Sequence, residues 1–187
     1  MVGERGSRRP DVTTVELVGG IEKRDLILAD HDPRWLEAYS EHEGRIRTAL
    51  GVVAAQIEHI GSTSVPGLAA KPIIDILVTV ADATAEEDYL DRLLDAGYEL
   101  RVREPGHRLV RTPARDVHVH IVEVGDPAAR DYLLFRDHLR ADPEDRGLYE
   151  RTKRDLVDQD WADMNAYAEA KTEVIAVIMK HARGSLS

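Results

Sequence analysis

The chain contains no cysteine, which excludes a disulfide framework and a thiolate zinc site. It also lacks any apolar run approaching the roughly 18 residues of a membrane-spanning helix. The opening stretch, MVGERGSRRPDVTT, is polar and has no apolar signal core, so the cytoplasm is the expected address. Residues 1–12 read as a disordered tail. Positive charge is in deficit. Twenty-five Lys and Arg face 35 Asp and Glu, for a net charge of −10. Such a surface argues against broad nucleic-acid binding and still allows a local basic cleft. There is no internal repeat, no low-complexity tract and no G-x-x-x-x-G-K-[ST] phosphate loop.

What is present reads as one α+β domain. The 187 residues are enough for a real core, and residues 13–187 form a single unit. Segments 14–19 and 25–29 are candidate short strands. In HDPRWLEAYSEHEGRIRTALG, Asp32 reads as an N-cap and Pro33 as the first helical residue; Gly51 ends that helix. Residues 52–60 read as a strand, and IIDILVTV at 73–80 as a buried one. Thr84 and Glu87 have the spacing of a capping box. YELRVR and HRLVRT are further strands. DVHVHIVEV alternates, which puts Asp116, His118 and His120 on one face. Asp126-Pro127 and Asp142-Pro143 each open a helix, so the chain is helical from about 127 to its end. The expected architecture is a mixed sheet flanked by helices, with a helical C-terminal third.

The chemistry gathers around GSTSVPGLAAKPIIDILV. Gly61 permits a tight turn or a close approach to a ligand. Ser62, Thr63 and Ser64 supply hydroxyls and consecutive backbone N–H groups, a concavity suited to phosphate oxygens; the alternative is a Gly-Ser-Pro loop that serves only as a turn. Lys71 adds a cation. Asp75 interrupts an apolar strand, and a carboxylate there needs a metal ion or a cation beside it. Both readings stand: a metal ligand, or an ion pair with Lys71 or an arginine. His118 and His120 are candidate metal ligands or general bases, or half-exposed sheet residues. Arg108 and Arg136 are candidate phosphate contacts; for Arg136 the alternative is a fixed ion pair with Asp137 or Asp142. His59 is placed to hold the loop backbone. Tyr149 with Lys153, and Tyr167 with Lys171, read chiefly as surface or packing pairs at helical spacing.

The block HIGSTSVPGLAAKPIIDILV resembles the signature of the GrpB-like family of the nucleotidyltransferase superfamily. DPRW, AGYE, HVHIVE, LLFRDHLRADPE, Tyr149 with Lys153, and Tyr167 with Lys171 agree in order, and the resemblance covers residues 26 to 182. It implies a polymerase-beta-like core in which a Gly-Ser pair ends one strand. The next strand carries two carboxylates one residue apart, a neighbouring strand carries a third, and together they hold Mg2+ for a nucleoside triphosphate. Gly61 and Ser62 match the Gly-Ser pair, and Asp75 the second carboxylate. The first falls on Ile73, which cannot bind a metal. His118 and His120 are nearest to the third-acid strand. The resemblance thus implies Mg2+ at Asp75, His118 and His120, and a nucleoside triphosphate or other phosphorylated small molecule as ligand. It leaves three functions open. One is transfer of a nucleotidyl group to a small acceptor. The second is a catalytically degenerate binding module. The third is a folding or assembly partner of another enzyme, since relatives occur fused to a coenzyme A biosynthetic kinase.

Overall fold

The computed structural model describes residues 10–22, 27–157, 159 and 164–185. The expected tail lies outside the described residues as far as residue 9, as do Asp25 and Leu26 of the DLILA stretch and the side chain of Tyr167. The tail's end is anchored: Asp11 accepts from the Gly106 N–H at 2.8 Å and from Arg108 at 2.7 Å.

The strands are β1 (Glu16–Leu17), β2 (Gln56–Ile60), β3 (Ile74–Val80), β4 (Glu99–Glu104), β5 (His107–Arg111) and β6 (Val117–Glu123). The helices are α1 (Arg34–Leu50), α2 (Glu86–Asp95), α3 (Pro127–Ala141), α4 (Pro143–Val157), α5 (Met164–Ala170) and α6 (Thr172–Gly184). One mixed sheet runs β1-β4-β5-β6-β3-β2. Only β3 and β6 are parallel; the other pairs are antiparallel. Among the described residues no helix is long and apolar enough to cross a membrane.

Strand alternation sorts the side chains into two layers. Ile74, Ile76, Val78 and Val80 of β3 and Val117, Val119 and Ile121 of β6 join Trp35, Ile46 and Leu50 of α1 and Tyr89 and Leu93 of α2 in the main core. The opposite face buries Ile60, Leu77 and Val122 against Ala129 and Leu133 of α3. The helical third has its own cluster, in which Val65 and Leu68 of the glycine-serine loop meet Leu139, Tyr149 and Ile178. That contact roofs the loop with α3, α4 and α6.

Helix starts follow local chemistry in three of four cases. Asp32 Oδ1 accepts from Arg34 N, Asp126 Oδ1 from Ala128 N, and Asp142 Oδ1 from both Glu144 N and Asp145 N. The fourth is corrected. Thr84 spends its hydroxyl and its N–H on Asp82, so α2 opens at Glu86 without a side-chain cap. Two strand boundaries also differ. Residues 51–53 form a 3-10 turn, which shortens the first long strand to Gln56–Ile60. Of the DLILA stretch, Ala29 forms a single bridge to Ala70.

Candidate functional site

The Gly61 loop leaves the end of β2 and folds back over β3. Gly61 has φ 71° and ψ −176°, a conformation that non-glycine residues avoid. It is also crowded: a Cβ there would lie 2.6 Å from Asp75 Oδ2 and 3.1 Å from Asp75 Cβ. Ser62–Ser64 follow as one 3-10 turn. Thr63 donates to the Ile73 carbonyl at 3.1 Å and meets His59 Nε2 at 3.0 Å. His59 is stacked on Tyr39, with ring centroids 4.7 Å apart, and burial pushes it down to about 4. It is therefore a neutral strut for the loop.

Asp75 lies on the face of β3 opposite the main core, and parallel pairing with β6 sets it beside His118. Its Oδ1 is 3.3 Å from His120 Nε2 and 3.7 Å from His118 Nδ1. Removal from water pushes the Asp75 carboxyl up. The hydrogen bond from His120 and the positive potential of His120, His118 and Lys171 outweigh this and hold it below its usual value. Burial pushes His118 down to about 4, against the pull of Asp75. His120 Nδ1 in turn meets His107 Nε2 at 3.2 Å.

These groups open onto a cavity of about 440 Å3, lined by Gly61, Ser62, Thr63, Lys71, Ile73, Asp75, His118, His120 and Tyr132, with Lys153, Ala168 and Lys171 from the helical third. Lys153 is 2% exposed. Its Nζ donates to the Ala69 carbonyl and lies 3.2 Å from Ser62 Oγ. Burial, reinforced by Lys171, pushes Lys153 down to about 7. Burial also lowers Lys171, against the pull of Asp75.

The structure thus gathers seven of the ten sequence candidates and separates three. Arg108 is corrected. Antiparallel register pairs it with Ile121, while Leu109 pairs with His120, so Arg108 points to the opposite face of the sheet. There it is 2% exposed and bonded to Glu86, Asp11 and the Glu104 carbonyl. Arg136 is bound to Glu58 and the His59 carbonyl as well as to Asp137, its expected alternative partner. It lines a separate cavity of about 350 Å3 on the far side of the loop. Ser64 lines that second cavity too; its hydroxyl donates to the Gly61 carbonyl and its own carbonyl accepts from Arg140. Asp116 precedes β6, and its carboxylate takes the Thr112 hydroxyl at 2.6 Å. Sequence reasoning underrated Lys153 and Lys171 and missed Tyr132. The available signals were the recurring Tyr-x-x-x-Lys spacing and the place of both pairs in the family resemblance.

The residues present do not fit a magnesium centre. Mg2+ prefers oxygen donors in octahedral array, whereas among the described residues this pocket offers one carboxylate, two imidazoles and three lysines, with Ile73 on its wall. Among the described residues, the one set of three Asp, Glu or His side chains with ligand atoms within 4.8 Å of one another is His138, Asp142 and Asp145, on α3, α4 and the turn between them.

Replacing Gly61 by alanine is expected to cost about 1–3 kcal/mol of stability, through the positive φ and the clash with Asp75. Urea denaturation checks this; an unchanged midpoint would show that the loop relaxes freely.

The Gly-Ser turn at the end of one strand, the acid-bearing strand antiparallel to it and a third strand parallel to that one frame a cationic pocket in a mixed α+β domain. A family model described as "GrpB protein" matches residues 25–181, and the chain belongs to the GrpB family. It is 64% identical to a UPF0157 protein of Streptomyces coelicolor over 97% of both chains. It is similar to the crystal structure of the conserved protein GrpB from Enterococcus faecalis, with a TM-score of 0.76 and 32% identity over 86% of this chain and 99% of that one. It is also 31% identical to a dephospho-CoA kinase of Mycolicibacterium paratuberculosis, covering 81% of this chain and 44% of that one.

Proposed function

We propose that this protein binds a phosphorylated small molecule in the Asp75 cavity, as a module of the nucleotidyltransferase-like fold that works without a resident metal ion. One observation carries the reading: Lys71, Lys153 and Lys171 converge with two imidazoles on a pocket that holds a single carboxylate among the described residues. In a chain of net charge −10, a local surplus of positive charge in a half-enclosed cleft favours an anion. Ser62 and the turn at Gly61 supply polar contacts for phosphate oxygens. Ile73, where two-metal transfer needs a carboxylate, speaks against nucleotidyl transfer.

Calorimetric titration with inorganic phosphate, nucleoside mono-, di- and triphosphates and dephospho-CoA, each with and without Mg2+, tests the reading. Binding that does not need Mg2+ is expected. Binding of none of these anions would end it. Dephospho-CoA belongs in the panel because relatives bear the name dephospho-CoA kinase, and the chain spans 44% and 43% of two of them. Selective binding of that compound would favour a role beside such an enzyme.

Asp75→Asn separates the anion pocket from a metal site. The amide keeps the shape and removes the charge that opposes an anion. Phosphate binding without metal is expected to tighten by roughly three- to tenfold, about 0.7–1.4 kcal/mol. If instead the parent binds only the Mg2+ complex and the variant loses it, Asp75 is a metal ligand.

A further inference from the structure

Anion binding alone leaves the burial of Lys153 unexplained. Its ammonium is taken almost wholly from water, yet among the described residues no carboxylate lies at bonding distance; its partners there are the Ala69 carbonyl and the Ser62 hydroxyl. The Tyr149 ring lies 4.7 Å from Nζ. Lys171 opposes the positive charge from the α5–α6 junction, and Arg154 opposes it and Glu150 supports it from α4 itself. Lys71 lines the same cavity. A lysine so placed gives up its proton readily. As a neutral amine it has two hydrogens and one lone pair. One hydrogen satisfies the Ala69 carbonyl, and the lone pair is left for the Ser62 O–H. That is the relation of a general base to a serine nucleophile.

We propose that Ser62 and Lys153 are a nucleophile–base pair that forms a covalent phosphoryl ester on Ser62 from a phosphoanhydride ligand. The proposal rests on the phosphate-binding reading of the same pocket. As Ser62 Oγ bonds to phosphorus, its proton passes to Lys153 Nζ and the bond from phosphorus to the leaving phosphate oxygen breaks. The ammonium so formed then returns that proton to the leaving group. Lys71 and Lys171 are the cations beside the developing negative charge. In a second step water bonds to phosphorus and the bond from phosphorus to Ser62 Oγ breaks, the amine taking the water's proton and returning it to Oγ, so that phosphate, free serine and neutral amine are restored.

Labelling with diisopropyl fluorophosphate tests the pair without needing anion recognition. Ser62 Oγ bonds to phosphorus, fluoride leaves, and the hydroxyl proton goes to Lys153. Intact-mass and peptide mass spectrometry should place one adduct on Ser62, with a rate rising through about pH 7, where Lys153 gives up its proton. Ser62→Ala should abolish the adduct. Lys153→Met, which keeps the length and apolar stem, should slow labelling at least about 100-fold, within the span of general-base contributions. No adduct on Ser62, while calorimetry still reads phosphate binding, would overturn the pair and spare the binding reading. Labelling of the parent that is flat from pH 5 to 9, or a Lys153→Met rate equal to the parent's, would show Lys153 to be only a structural cation. The parent's pH profile decides even if the variant does not fold.

Discussion

Arg108→Met is expected to destabilise the fold by about 3–5 kcal/mol while leaving phosphate affinity of the folded protein unchanged. Arg108 is 2% exposed and lies on the α2 side of the sheet. Its Nε donates to Glu86 at 2.6 Å, one terminal nitrogen to Asp11 at 2.7 Å, and the other to the carbonyls of Glu104 and His107. Methionine fills the space and makes none of these bonds. Asp11 then loses the guanidinium it pairs with, and Glu86 keeps its pair with Arg103. For a domain of this size the melting temperature should fall by roughly 6–20 °C. The pH dependence has a defined sign. Burial pushes the Glu86 carboxyl up, but the hydrogen bonds of Arg103 and Arg108 outweigh it and hold the group below its ordinary 4.5. A depressed carboxyl stabilises the fold fully above its unfolded value, and loses that contribution as pH falls through the folded one. The parent should therefore weaken below about pH 4.5 more steeply than the variant. Stability within 0.5 kcal/mol of the parent (about the scatter of a surface change), together with weakened phosphate binding, would return Arg108 to the role its sequence suggests.

Lys171→Met is expected to weaken phosphate binding by about 10- to 100-fold, the loss of one charge-assisted contact worth about 1.4–2.7 kcal/mol. Lys171 lines the cavity from the junction of α5 and α6, across from Asp75 on the sheet. Its charge is partly removed from water, which lowers its proton affinity and concentrates its attraction for a dianion. Lys180→Met is the control, because it removes the same charge from an exposed site on α6. If the affinity is set by overall charge, the two variants will weaken binding equally. If it is set by the pocket, Lys180→Met will match the parent and the affinity of the Lys171 variant will depend less on salt.

That His118 and His120 share one face of β6 was legible because strand alternation is local; that Asp75 joins them was decided by the pairing of β3 with β6. Once β3 and β6 are strands, parity places each side chain. The caps at Asp32, Asp126 and Asp142 were legible for the same reason, since each carboxylate meets an N–H two or three residues on. Thr84 kept the spacing of a cap but met a nearer competitor in Asp82, so a local rule lost to another local rule.

Composition, the pattern of elements along the chain and the Gly61–Asp75 block by themselves determined an α+β domain, the absence of any thiolate site, a glycine at a turn or close approach and an isolated carboxylate on an apolar strand. The tertiary structure alone decided who joins that carboxylate. Arg108 left the site because antiparallel register with β6 set it against Ile121 rather than His120. Lys153 entered it from 91 positions away, because the apolar faces of α3, α4 and α6 close over Val65 and Leu68. A Tyr-x-x-x-Lys spacing looks the same on a solvated helix and on one that roofs a pocket. The difference lies in which face finds an apolar partner, and that is settled only when distant segments pack.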